Sequence, residues 1–207
     1  MIATFIRRHM LILLAVLGFF YSEIEPRGLI RQLPRFNKHN RVLVDDLVHN
    51  VHQVDQGNFY RSRQLSAEKL AATIKRFGIK TLINLRGEHP TEKWWQAERA
   101  TAQALGVQYI NLPVRASQIP SESVIKQLLH AYDTAPRPLL VHCQGGADRT
   151  GMASALWALE KQGLSKKEAR KQLSLWYGHD AKRFKAMDDF IISWSGPLCT
   201  TTPYHLS

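Results

Sequence analysis

Cys143 and Arg149 stand six positions apart in the run His142-Cys143-Gln144-Gly145-Gly146-Ala147-Asp148-Arg149-Thr150-Gly151. A thiol, a guanidinium and two consecutive glycines in so short a stretch suit chemistry on an anion. Glycine lets backbone amides approach a phosphate closely, and an amide cradle opening a helix favours a dianion. The same field stabilises a thiolate over a thiol, which makes Cys143 a candidate nucleophile. Arg149 can bind two phosphoryl oxygens at once and offset charge on the equatorial oxygens of a transition state. Thr150 offers a hydroxyl that can hydrogen-bond the Cys143 sulfur. Gln144, Gly145, Gly146 and Ala147 complete the cradle as candidate substrate-binding positions. His142 is expected to be a buried imidazole that holds the loop.

The surrounding elements are placed to present that loop. Pro138 to His142 reads as a buried strand, and a helix is expected from about Thr150 to Gln162, closed by Gly163. In open α/β sheets, ligands sit at the carboxyl ends of strands, where this loop falls. Asn58 to Ser62 reads as a strand after the turn Asp55-Gln56-Gly57. Ser66 can cap a helix running to Phe77, which Gly78 ends. Ile79 to Leu85 reads as a second buried strand, Thr91 to Leu105 as a helix, and Val107 to Leu112 as a strand stopped at Pro113. Ser121 caps a helix through Thr134. Ser165-Lys166-Lys167-Glu168 has capping-box spacing and opens another, and Lys182 to Trp194 forms the last. Strands alternating with helices imply an α/β fold, a parallel-rich mixed sheet flanked by helices on both faces.

The run His142-Cys143-x-x-Gly146-x-x-Arg149-Thr150-Gly151 resembles the signature of the protein tyrosine phosphatase superfamily, and its dual-specificity branch in particular. Phe59-Tyr60-Arg61-Ser62-Arg63-Gln64 and Ile83-Asn84-Leu85-Arg86 are similar to the first strand and the second-strand end of compact bacterial and fungal members. The resemblance covers about residues 42–179. It implies a tyrosine-phosphatase-like fold and a two-step reaction. The thiolate attacks phosphorus, a phosphocysteine forms, and water hydrolyses it. It implies no metal and no cofactor.

The sequence departs from that family at one mechanistic position. Members supply an Asp roughly 25 to 40 residues before the Cys to protonate the leaving oxygen. Here the stretch reads Leu112-Pro113-Val114-Arg115-Ala116-Ser117-Gln118-Ile119-Pro120, without a carboxylate. Asp148, beside Arg149, is the candidate in its place, as in myotubularin-like phosphatases and some bacterial tyrosine/lipid phosphatases with an Asp in this loop. The other reading makes Asp148 a loop-stabilising carboxylate bonded to backbone amides or to Arg115. Glu88 and Glu122 are weaker candidates. Arg86 and Arg115 are candidate substrate-binding cations at the pocket rim. Of Trp94 and Trp95, one is expected in the core and the other at the pocket mouth or a membrane surface.

The N-terminus reads as a separate object. Arg7-Arg8-His9 precedes the apolar run Met10 to Tyr21, the layout of a targeting segment. Bulky Phe20 and Tyr21 stand where a cleavage site wants small residues. Residues 1–24 are therefore expected to be an uncleaved hydrophobic anchor helix, with the domain exported. Residues 25–41 form a basic linker carrying Arg27, Arg31, Arg35, Lys38 and Arg41, suited to an anionic membrane surface. Residues 42–207 are assigned to the catalytic domain.

The 207 residues, 44% of them hydrophobic, suffice for one domain with a real core. The formal net charge of +11 favours anionic partners. No nucleic-acid signature and no zinc-ligand spacing is present, so the expected partner is a phosphorylated protein or a phospholipid, met by a monomer. Cys143 and Cys199 are too few for a disulfide framework. The leading function is a protein phosphotyrosine or dual-specificity phosphatase. A lipid-phosphate phosphatase, of phosphoinositide or phosphatidylglycerophosphate type, is the alternative, although Gln144 and Ala147 stand where inositol-selective relatives carry Lys. A catalytically weak phosphate-binding module and a rhodanese-like transferase are further readings. The Cys143/Arg149 pair argues against the first and the length of the loop against the second.

Overall fold

A computed structural model describes residues 44–196. Residues 44–48 are helical and fall in a separate N-terminal unit. The sheet and the cradle belong to the unit that begins at His49. The expected anchor helix, the whole of the basic linker and Cys199 lie outside the described residues. No helix among the described residues is long and apolar enough to cross a membrane.

The fold is a mixed α/β sheet flanked by helices. Its strands are β1 (His52–Asp55), β2 (Phe59–Ser62), β3 (Thr81–Asn84), β4 (Gln108–Asn111) and β5 (Leu139–His142), in the spatial order β1-β2-β5-β3-β4. β2, β5, β3 and β4 run parallel, and β1 pairs antiparallel with β2. The helices are α1 (Ala67–Phe77), α2 (Lys93–Ala104), α3 (Glu122–Thr134), α4 (Asp148–Glu160), α5 (Lys166–Ala169) and α6 (Lys185–Ser193). Two 3-10 turns, Arg170–Gln172 and Leu175–Tyr177, join α5 to α6.

Parallel strands buried on both faces are apolar at consecutive positions, and every residue of β2, β3 and β5 is buried. Alternation sends their side chains to two cores. Phe59, Ile83, Leu139 and Val141 pack with residues of α3, α4 and α6, including Leu128, Leu156, Trp157 and Ile191. Tyr60, Leu82 and Leu140 pack with Leu70 and Ile74 of α1 and Ala102 of α2. Ser66, Ser121 and Ser165 cap α1, α3 and α5 through their hydroxyls, as their positions foretold. Gly78 ends α1 in the left-handed conformation.

The differences from expectation are local. β1 was not anticipated, because His52-Gln53-Val54-Asp55 carries no apolar alternation and forms a polar edge. The Ser165-capped helix is only four residues long before it tightens to a 3-10 turn. The expected start of the last helix at Lys182 moves to Lys185, because the Asp180 carboxylate accepts from the Lys182 and Arg183 amides and holds a turn there. α4 begins at Asp148 rather than Thr150, so Asp148 and Arg149 sit in its first turn.

Candidate active site

The carboxyl ends of β2, β5 and β3 lie side by side, with Ser62 beside His142 and His142 beside Asn84. Three loops therefore meet at one edge: residues 63–65, the cradle 143–147, and residues 85–90. The cradle takes its form from its carbonyls. Cys143 O lies 3.3 Å from His142 Nδ1, and Gln144 O accepts from the Gln64 amide at 3.1 Å. Gly145 O accepts from Asn50 Nδ2 at 3.1 Å. Gly146 O accepts from Arg61 Nη2 at 2.8 Å, and Ala147 O accepts from Gly151 N at 2.8 Å and Arg61 Nη2 at 3.3 Å. Every carbonyl from Cys143 to Ala147 thus has a partner on the outside. The α4 N-terminus adds amides that helix geometry leaves without intrahelical acceptors. The result is a nest of N–H groups around Cys143, the arrangement that binds a phosphate.

Gly146 is required by geometry. Its φ is 71°, and a Cβ there would lie 2.6 Å from Arg63 N and 2.7 Å from Ser62 O. The turn therefore needs glycine both for its hand and for its approach to β2. Gly151 lets α4 press against the backbone at Gln172, 2.7 Å from where its Cβ would be.

Arg61 is the clamp behind the cradle. It is fully buried in β2, its Nη1 donates to Gln172 O at 2.9 Å and Gln172 Oε1 at 2.7 Å, and its guanidinium stacks on Tyr177 at 3.8 Å. Burial lowers its pKa from 12.5 to about 10, with the charges of Tyr177, Cys143 and Asp148 opposing that shift. Asn50, at φ 52°, ties Gly145 O to Tyr177 O and lies 2.9 Å from His52 Nε2 through its own oxygen. Burial and then the Arg61 charge push the His52 pKa down to about 4, so the neutral ring donates from Nε2 to Asn50.

His142 is buried, as expected, and its Nε2 lies 3.1 Å from Glu98 Oε1 on α2. The same carboxylate accepts from Tyr109 Oη at 2.6 Å and from the Gln64 side-chain amide. Burial pushes Glu98 up. The His142 bond and charge, with the bonds from Tyr109 and Gln64, outweigh it and hold the carboxyl below its ordinary value. Gln64 also accepts from Arg86 Nη1 at 3.2 Å, which links the rim to this buried network.

The remaining candidate residues differ in burial and in partners. Cys143 is buried at the base of the cradle. Arg149 is half-buried and donates from Nη1 to Val114 O at 3.3 Å, which ties the guanidinium to the start of the 114–120 loop. Arg86 is half-buried and lies 3.6 Å from the Trp94 ring centre. Desolvation, followed by the Arg149 charge, lowers its pKa, and the Cys143 charge acts the other way. Those couplings put Arg86 within electrostatic reach of the cradle. Arg115 is exposed on the turn after Val114, and Gln144 and Gly145 are exposed on the cradle's outer lip. Trp95 is the core tryptophan and Trp94 the one at the rim.

Thr150 lacks the contact expected of it, and Asp148 gains one that was not expected. The Thr150 hydroxyl is buried and has no hydrogen-bond partner, so the expected bond to the Cys143 sulfur is not formed. Of the partners considered for a loop-stabilising Asp148, a backbone amide is present and Arg115 is not. Its Oδ1 lies 2.7 Å from His179 Nδ1 and accepts from the Asp180 amide at 3.4 Å. Of the carboxylates held in reserve, Glu88 and Glu122 are both exposed, and Glu122 pairs with Lys126 one turn along α3.

Arg61, Asn50, Gln64, Glu98 and His179 were missed as parts of the site. Arg61 had a signal, a charge directly after Phe59 and Tyr60 in a strand. The others act across long stretches of chain and leave no local pattern.

This geometry agrees with the comparison to known proteins. The family described as a DSP-PTPase phosphatase fused to NAD+ kinase matches residues 31–189. The chain belongs to this family. The DSP-PTPase match spans the whole cradle and its supporting strands. A rice protein described as probable NAD kinase 2, chloroplastic (Oryza sativa subsp. japonica) is 30% identical over 101 residues, 48% of this chain and 10% of that protein. The dual specificity protein phosphatase TpbA of Pseudomonas aeruginosa strain UCBPP-PA14 is 27% identical over 116 residues, 55% of this chain and 49% of TpbA. The chain thus spans about a tenth of the rice protein and about half of TpbA. Among solved structures, P. aeruginosa TpbA superposes with a TM-score of 0.56 at 22% identity, covering 72% of this chain and 86% of that one. The catalytic core of the PP-IP phosphatase SIW14 from S. cerevisiae gives 0.58 at 20% identity, covering 70% and 85%. Both share the fold of the DSP-PTPase unit described here.

Proposed function

We propose that the chain is a cysteine-dependent phosphatase that hydrolyses phosphomonoesters of proteins, phosphotyrosine foremost, with dual specificity. The observation that supports it most is the cradle, with Cys143 at its base, its carbonyls bonded outward and Arg149 in the first turn of α4. The Cys143 thiolate attacks phosphorus, the S–P bond forms and the P–O bond to the leaving group breaks. Asp148 gives its proton to the departing oxygen. Water then attacks the phosphocysteine, Asp148 takes a proton from it, the S–P bond breaks and inorganic phosphate leaves. Arg149 holds two non-bridging phosphoryl oxygens through both steps. Arg86 extends the positive field at the rim. The similarity to TpbA supports a protein substrate, and a TpbA variant has been solved with phosphotyrosine bound.

A lipid-phosphate substrate has one observation in its favour. Leu175 and Trp176 are 87% and 72% exposed on a turn that Asn50 ties to the cradle. The anchored, exported placement read from residues 1–24 belongs to this second reading. Turnover of p-nitrophenyl phosphate by wild type and Cys143→Ser tests the chemistry, with loss of turnover in the variant expected. Phosphopeptides set against phospholipid vesicles then decide the substrate, and preferential release of phosphate from phosphopeptides is expected.

A further inference from the structure

His179 is almost wholly buried, with both ring nitrogens facing carboxylates. Nδ1 lies 2.7 Å from Asp148 Oδ1, and Nε2 lies 2.7 Å from Asp188 Oδ2 on α6. Asp188 has Arg170 at 3.6 Å through its other oxygen. The Asp180 amide also bonds Asp148, and Arg61 interacts electrostatically with Asp148 from behind the cradle. Neither bond can form unless a proton lies between each nitrogen and its oxygen. Three side chains from three elements, α4, the turn before α6, and α6, are therefore locked in one line with its end at the cradle.

We propose that His179, held by Asp188, is a positioning residue for the acid step, an inference that rests on the phosphatase reading and on Asp148 as its proton donor. Nδ1 fixes the Asp148 rotamer by binding Oδ1. Oδ2, for which the structure shows no bond, is left as the oxygen that carries the proton to the leaving group. Once that proton has gone, the Nδ1–H bond stabilises the carboxylate that remains, and the same bond holds it in place to accept a proton from water in the second step. Asp188 acts through His179 by fixing the ring's orientation. Asp148 would otherwise be a half-buried first-turn carboxylate free to rotate.

The test is a leaving-group comparison on His179→Gln and Asp188→Asn, using dinitrophenyl phosphate, which departs without help, and phenyl phosphate, which needs a proton. His179→Gln is expected to lose about 10- to 100-fold more kcat on phenyl phosphate than on dinitrophenyl phosphate, a share of the ~10²–10⁴-fold that proton transfer contributes. Asp188→Asn keeps the shape and leaves Asp148 bonded, so the same asymmetry is expected at smaller size. Its folded state is checked by urea denaturation, and it carries the test if His179→Gln does not fold. Equal losses on the two esters, or no loss on either, overturn the inference. Cys143→Ser run alongside separates the two levels. If that variant still turns over dinitrophenyl phosphate, the phosphatase reading itself fails. If only the asymmetry is missing, the phosphatase reading stands and His179 is structural.

Discussion

Arg61 offers a sharp test of how the cradle is held, because stability and catalysis should respond differently to its replacement. Removing the guanidinium strips their donor from two backbone carbonyls, Gly146 O and Gln172 O, while Ala147 O keeps the Gly151 amide. A buried acceptor left unpaired costs about 1–3 kcal/mol, so the pair costs about 4 kcal/mol. Against this, the buried charge is itself unfavourable. The fall from 12.5 to about 10 corresponds, at 1.36 kcal/mol per pH unit, to about 3 kcal/mol. Arg61→Met removes that burden along with the bonds, and a net loss of about 1 kcal/mol is expected. Arg61→Lys keeps a buried cation and loses the planar fork, so it is expected to be the less stable variant. Both release the cradle carbonyls, and both should lose about 100-fold in kcat/KM for p-nitrophenyl phosphate, the scale of losing one preorganised donor. Urea denaturation and steady-state kinetics on the same preparations read both quantities. The reasoning is refuted if Arg61→Met turns over substrate as wild type does, or if Arg61→Lys is the more stable of the two.

Gly146→Ala must hold an L-residue at φ 71° with its Cβ against β2, so it should lose about 1–2 kcal/mol from the conformation alone, and more from the clash. Gly145→Ala meets nothing within 4 Å and should change stability by less than about 0.5 kcal/mol, both being read by thermal denaturation. His52 titrates near 6.5 when unfolded and about 4 when folded, so the unfolded chain binds the extra proton between those values. Its contribution to stability is complete above pH 6.5 and is lost as pH falls toward 4, and His52→Asn should flatten urea-derived stability across that window. Glu98, whose folded value is depressed, contributes stability above the ordinary carboxyl value of 4.5 that is lost as pH falls below it. Glu98→Gln should therefore be less stable at neutral pH and less sensitive below 4.5, as measured by acid titration of the folded signal.

The features legible in the sequence are those whose causes are local. Ser66 and Ser121 cap their helices within three residues, and Gly78 stops one by its own backbone. The Cys143–Gly151 run carries nucleophile, cradle and cation in one register, so the loop could be read without neighbours. The hidden features depend on partners far along the chain. Arg61 meets Gly146 and Gln172, and Asn50 meets Gly145 and Tyr177, contacts set by sheet order and not by spacing. β1 was invisible because His52-Gln53-Val54-Asp55 fully buries none of its residues and so carries no apolar period. The Asp148–His179 bond spans 31 positions, so sequence could name Asp148 as a candidate acid but not the histidine bonded to it. The Thr150 hydroxyl, expected on the sulfur, is instead an unpaired buried group at the start of α4.

The central claim is that phosphoryl transfer passes through Cys143. Wild type mixed with p-nitrophenyl phosphate and quenched in acid within a turnover should carry one phosphoryl group, and peptide mass mapping should place it on Cys143. Cys143→Ser should carry none and release no p-nitrophenol. A phosphoryl group on any other residue, or turnover by Cys143→Ser equal to wild type, would contradict the account.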